Sequence, residues 1–173
     1  MVSLELKIPE NVKIDIDGKM VKVSGQKGEV ERSFLEKEIK IEKLNDKISV
    51  SSESERKKAG ALVGTIISHI KNMIEGAANG FTYRLRVVYS HFPITVKIEG
   101  NKVLIQNFLG ERNPRVAKII GNTQVKIEGS DLVITGANIE AVGQTASNIE
   151  QATRIVGYDR RKFMDGIYIV ERG

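Results

Sequence analysis

Apolar and polar residues alternate along most of the first fifty positions. Leu4–Ile8 alternate and stop at Pro9, as a first strand or arm would. Val12–Ile16 and Met20–Val23 alternate on either side of Asp17-Gly18, which supplies turn chemistry. Gly25 and Gly28 bracket a second turn before a strand over Val30–Phe34, and Ile39–Ile41 with Ile48–Val50 flank Asn45-Asp46 as another hairpin. The period then changes. Ala59, Leu62, Val63, Ile66, Ile67, Ile70, Met73 and Ile74 recur at spacings of three and four, one face of a long helix. Ser52 and Glu55 have capping-box spacing before it, and Gly76 and Gly80 mark its end. Phe81–Tyr89 reads as a strand that closes this half, with Arg84 and Arg86 on one face.

From Pro93 the same order begins again. Val96–Ile98 and Val103–Ile105 meet about Gly100-Asn101, Gly110-Glu111 falls where Gly28-Glu29 fell, and Val125–Ile127 with Leu132–Ile134 flank Gly129-Ser130. A second helix follows, capped by Asn138, with Ile139, Val142, Ala146 and Ile149 on one face. Gly143 aligns with Gly60, and Gly166–Tyr168 with the opening of the Phe81 strand. The repeat lies in order and spacing more than in residue identity. It predicts an α+β protein of two tandem repeats, 1–91 and 92–173, each a small, mostly antiparallel sheet with one helix packed on a face.

Composition narrows the chemistry. Only 5% of the 173 residues are aromatic, so Val and Ile must build most of the core, which favours sheet. Cysteine is absent, which excludes disulfides, thiolate metal sites and thiol nucleophiles. The opening residues hold no apolar core of signal-peptide length, and no apolar run reaches ~18 residues, so the chain is expected to be soluble and intracellular. The net charge of +5 suits a polyanionic partner. It does not divide the halves: 16 basic and 13 acidic residues precede Phe92, and 11 and 9 follow His91. Clustering does. Lys and Glu alternate along the early strands, whereas Arg112, Arg115 and Lys118 group together, and Gln151–Tyr168 gathers Arg154, Arg160, Arg161 and Lys162 about Asp159, interleaved with Tyr158 and Phe163.

Catalytic ingredients are thin. His69 lies out of phase with the apolar helix face, and His91 sits at the domain junction, where packing is the expected role. No His pair has zinc-ligand spacing, the carboxylates are scattered, and Gly60 and Gly64 lie in an apolar helix rather than a phosphate loop. No cofactor or metal is expected. Lys118–Gln124 is similar to the glycine loop of the KH single-strand RNA-binding module, but Gln124 stands where its second glycine belongs. A KH-like module is therefore one alternative, and a small-molecule enzyme or protein-interaction module built on the repeat is another. In the basic groups, guanidinium forks suit phosphate and rings suit base stacking, although Phe163 is equally read as an anchor that docks the connector.

Gln151-x3-Ile155 followed by Arg161–Tyr168, together with Val88–Ile94, Asn107–Arg112 and Ala141–Ala146, closely resembles ribosomal protein L six in its archaeal and eukaryotic form. The resemblance spans essentially the whole chain. It implies a two-domain structural protein of the large ribosomal subunit, located in the cytoplasm. Its C-terminal domain would bind ribosomal RNA near the sarcin-ricin loop and the base of the factor-binding stalk. Neighbouring ribosomal proteins and translational GTPases would lie close by, with no membrane and no small-molecule substrate. Carried over by motif, the RNA contacts are Arg112, Arg115, Gln144, Arg154, Arg160, Arg161 and Lys162, with Asp165-Gly166 shaping the turn. Clustering adds Lys118 and Phe163. Tyr158 stands where the family commonly has a basic residue, which leaves it stacking or packing.

Overall fold

The computed structural model describes residues 2–173 and divides into two compact units, 1–80 and 81–173. In the first, β1 (Val2–Lys7) is followed by β2 (Lys13–Asp17), β3 (Met20–Gly25), β4 (Gly28–Ser33), β5 (Ile39–Leu44), β6 (Lys47–Ser52) and α1 (Lys57–Ala78). The strands form two antiparallel three-stranded sheets, in the orders β2-β3-β4 and β1-β6-β5. Alternation decides which side is covered. Val21 and Val23 of β3, and Ile48 and Val50 of β6, are fully buried. Onto them α1 presents Ala59, Val63, Ile66, Ile70, Met73, Ile74 and Ala77. The two-residue turn between β2 and β3 begins at Gly18 with φ +61°, a conformation that costs glycine least. Gly25 is small for another reason: a Cβ there would stand 2.3 Å from the Ala77 carbonyl oxygen. That carbonyl accepts from the Lys27 amide at 2.9 Å, tying the hairpin to the end of the helix.

The predicted capping box does not form. Residue Arg56 occupies the N-cap of α1 without a side-chain bond, while Ser52 is buried at the end of β6 and accepts from the Ser54 amide. The chain needs four more residues to turn from strand to helix than the spacing supplies. The other end matches its glycines: Gly80, at φ +75°, donates to the Gly76 carbonyl in an αL cap.

The second unit repeats the order with β7 (Phe81–Val88), β8 (Thr95–Glu99), β9 (Lys102–Gln106), β10 (Arg115–Lys118), β11 (Gln124–Glu128), β12 (Asp131–Gly136) and α2 (Ile139–Ala152), then adds β13 (Gly166–Arg172). Its sheets run β10-β9-β8 and β11-β12-β7-β13. This corrects the expected boundary at 91/92. The strand β7 does not close the first half; it pairs with β12 as β1 pairs with β6, and so opens the second. Nor does Gly166–Tyr168 correspond to the start of β7. It is an added neighbour, with Gly166 opposite Val88 and Tyr168 opposite Arg86. The two strands look alike in sequence because both are apolar segments lying past a helix, and order alone does not reveal which helix face a strand returns to.

Phe81, Leu85, Leu132, Ile134 and Ile167 on one sheet, and Val103, Ile105 and Ala117 on the other, close on Val142, Ala146 and Ile149 of α2. The Asn138 side chain accepts from the Glu140 amide at 2.9 Å, as its position predicts. Arg84 and Arg86 share the exposed face of β7 and both pair with Asp131, at 3.5 and 3.0 Å. Among the described residues no helix is long and apolar enough to cross a membrane.

Candidate nucleic-acid interface

The two copies differ in two places. In the first, β3 and β4 meet through a tight turn; in the second, β9 and β10 are separated by residues 107–114. The second copy also carries the connector from α2 to β13. The loop holds Arg112, the connector holds Arg154, Tyr158, Arg160, Arg161, Lys162, Phe163 and Asp165, and Arg115 at the start of β10 bonds to both segments.

The 107–114 loop turns through three positive φ values, at Asn107 (59°), Leu109 (51°) and Gly110 (76°). Two of these are not glycine, so the surroundings must hold them there. The Asn107 side-chain Nδ2 donates to the Pro93 carbonyl at 2.9 Å, and Phe108 plugs fully into the core. Above that ring, 4.4 Å from its centroid, lies the Arg115 guanidinium.

Arg115 is committed internally. Its Nε and Nη2 donate to the two Glu111 carboxylate oxygens at 2.9 and 2.6 Å, and Nη1 donates to the carbonyls of Ala152 and Arg154 at 3.0 and 2.9 Å. The bonds to Glu111 hold its carboxyl below the usual pKa and raise that of Arg115. The fork expected to grip phosphate therefore ties the loop to the last turn of α2, where carbonyls lack helical partners and favour a cation. Arg115 belongs to the scaffold of the site rather than to its contact surface. Glu111 lies within the Asn107–Arg112 motif, but its pairing with Arg115 is not read from the sequence because an irregular loop separates the two.

Beyond α2 the connector runs from Thr153 to Asp165. Thr153 is buried, accepts from the Ile167 amide at 3.0 Å and so joins the connector's start to β13. Asp159 organises a turn in the middle, accepting from the Arg161 amide at 3.0 Å and from its Nε at 3.2 Å, while its carbonyl accepts from Lys162 and Phe163. The amide and then the guanidinium of Arg161 depress the Asp159 pKa. The Arg161 side chain stays 90% exposed. The side chains of Arg112, Lys118, Arg154, Arg160 and Lys162 are exposed and make no hydrogen bond or ion pair among the described residues. Gln144, also exposed, donates to Asn148 at 2.8 Å, and Asn148 donates to the Lys118 carbonyl, so these positions form one polar row beside the connector.

The far end of the connector is latched. Asp165 is fully buried, and its Oδ1 accepts from the Ser90 amide and hydroxyl at 3.3 and 3.1 Å, with His91 Nδ1 at 3.5 Å. Burial alone would push this carboxyl up, but the bonds from Ser90 and His91 outweigh it and hold the pKa below the usual range. The second oxygen, Oδ2, is buried without a partner. The Phe163 ring stacks on His91 at 4.4 Å and meets Tyr158 at 4.8 Å. Phe163 is thus the anchor rather than a free base platform, and His91 has the packing role expected of it. Asp165 fastens this end of the connector to Ser90, within the motif Val88–Ile94. At Gly166 a Cβ would sit 3.1 Å from the Tyr168 hydroxyl, so glycine admits the tyrosine ring over the backbone.

The KH-like reading fails on topology. Gly121, at φ +59°, turns the chain between β10 and β11, so strands flank the loop on both sides and it does not lead into a helix. Lys118 lies on β10.

Comparison with known proteins identifies the chain's relatives. A family model described as Ribosomal protein L6 matches residues 8–80 and 92–166, one segment for each copy. The chain is 52% identical to the large ribosomal subunit protein uL6 of Methanothrix thermoacetophila, covering 96% of this chain and 95% of that one. The uL6 of Aeropyrum pernix is 51% identical over 96% and 92% of the two chains, and that of Methanosarcina mazei 47% over 99% and 97%. With the loop and the connector inside those matches, the chain belongs to the ribosomal protein L6 family.

Proposed function

We propose that this chain is a structural component of the large ribosomal subunit in the cytoplasm, and that its second unit binds ribosomal RNA. The observation that carries the reading is the set of exposed cations, Arg112, Arg154, Arg160 and Lys162, left without internal partners around a connector that is itself fixed at both ends. Because the connector backbone is already fixed, a phosphate contact has only the unpaired side chains left to order, which lowers the entropy cost of binding. Lys118 and Gln144 extend the same face, and Arg161 can exchange Asp159 for a phosphate, since the pair is exposed and weak.

Within the subunit, the placement proposed is beside the sarcin-ricin loop and the base of the factor-binding stalk. Other ribosomal proteins would be neighbours there, with translational GTPases docking close by. The protein would fix RNA elements in place and do no chemistry. Cosedimentation of tagged protein with large subunits across a salt gradient tests the reading. Replacing Arg160, Arg161 and Lys162 with Ala should weaken binding and lower the log–log salt slope by roughly 0.7–0.9 for each phosphate no longer neutralised. Binding that ignores the triple replacement at every salt concentration rules the connector out as the grip.

A further inference from the structure

The rings expected to stack on a base, Tyr158 and Phe163, are engaged with each other and with His91. Another aromatic is available. Along the connector, a groove of about 430 Å³ is lined by Ile155, Phe163, Met164 and Tyr168 together with Arg154 and Arg160. Its volume lies within the range that encloses a small ligand. Tyr168 is 40% exposed and Met164 61% exposed, so apolar surface lies open directly beside two unpaired cations. The tyrosine is held still: its hydroxyl donates to the Met164 carbonyl at 3.1 Å, and its ring lies over Gly166. Glu150 also lines the groove, and its Oε1 accepts from the Ile169 amide at 3.3 Å, which holds the carboxylate on the β13 side.

We infer that this groove receives one unstacked nucleotide of the bound RNA, its base against Tyr168 and Met164 and its phosphate on Arg154 and Arg160. The inference rests on the RNA-binding reading above and adds to it a specific subsite. Charge complementarity selects the occupant: the groove joins a fixed π face and a thioether to two guanidinium groups, and a nucleotide carries a flat apolar base one sugar away from an anion. An apolar peptide would leave both arginines unmatched, and a bare anion would leave the ring uncovered.

The test uses the full-length protein with ¹³C-methyl methionine and adenosine 5′-monophosphate as probe. The Met164 methyl should shift saturably, while Met20 and the buried Met73, both in the first unit, should not. Stacking should hold the monophosphate roughly 5- to 150-fold more tightly than ribose 5-phosphate. Arg154→Ala and Arg160→Ala should each weaken the monophosphate but leave the response to adenosine unchanged. Met164→Ala, at an exposed position that folding tolerates, should weaken both nucleoside and nucleotide, read by the Ile155 methyl in isoleucine-labelled protein. Equal affinity for ribose 5-phosphate and the monophosphate, or a still Met164 methyl, overturns the subsite. Either result with cosedimentation intact leaves the broader RNA-binding reading standing, whereas loss of cosedimentation refutes that reading itself.

Discussion

Replacing Arg115 with Ala separates a scaffold cation from a contact cation. The side chain is only 27% exposed, and it bridges Glu111, the Phe108 ring and two carbonyls at the end of α2. Bonds from a charged donor are worth about 1.5–3 kcal/mol net, and the partly solvated setting places the carbonyl pair at the lower end. The ring contact contributes about 0.5–1 kcal/mol. The Glu111 pair, with its acid 41% exposed, contributes about 0.2–1 kcal/mol. Together these put the destabilisation at about 2–3 kcal/mol. The protein has no tryptophan, and its four tyrosines, Tyr83, Tyr89, Tyr158 and Tyr168, all lie in the second unit. Tyrosine fluorescence therefore follows that unit alone. In urea its midpoint should fall by roughly 1–2 M, given a slope of about 1–3 kcal/mol/M for a small domain. Arg115→Lys keeps the charge but not the fork, so it should fall between wild type and Ala. RNA affinity at fixed salt should drop for both variants, because Arg112 and Arg154 lose their common anchor. The salt slope should not change, since no phosphate contact is removed. A slope lowered by roughly 0.7–0.9 with an unmoved urea midpoint would refute the reasoning and return Arg115 to the contact surface.

Further expectations concern the latch and the helix contact. Asp165 has a folded pKa below its unfolded value, so its contribution is present above the unfolded pKa and is lost as pH falls through the folded one. Asp165→Asn should thus be less stable than wild type near neutral pH, with the two urea midpoints converging in acid; a gap that persists at the lowest pH where both fold would contradict this. Ser90→Ala should loosen the connector, seen as faster amide exchange at Ile167 and Phe163, while exchange in β3 stays unchanged. Gly25→Ala forces a Cβ against the Ala77 carbonyl and should cost about 1–3 kcal/mol or more in the first unit, measurable as faster exchange of the Lys27 amide.

Much of this architecture is legible in the residues because periodicity is a local property. Alternation locates the hairpins about Gly18, Gly100 and Gly129, and spacing of three and four locates both helices and their buried faces. The second copy's excess of clustered arginine is visible in the same way. Pairing between distant segments is not. Whether β7 belongs to the helix before it or the sheet after it depends on Leu132 and Ile134, some fifty residues away, presenting a matching face.

The same limit governs the site. Sequence alone determined that a basic connector joins α2 to the last strand, and that the family it belongs to is ribosomal. Only the tertiary structure decided which of its charges are free. Arg115 and Arg112 are two guanidinium groups three residues apart, yet one meets the open carbonyls of a helix end and the other meets solvent. Likewise Phe163 stacks between His91 and Tyr158, and with Tyr168 it also lines the groove. Residue type sets what a side chain can bind; which partner it takes depends on what long-range packing brings within about 3 Å of it.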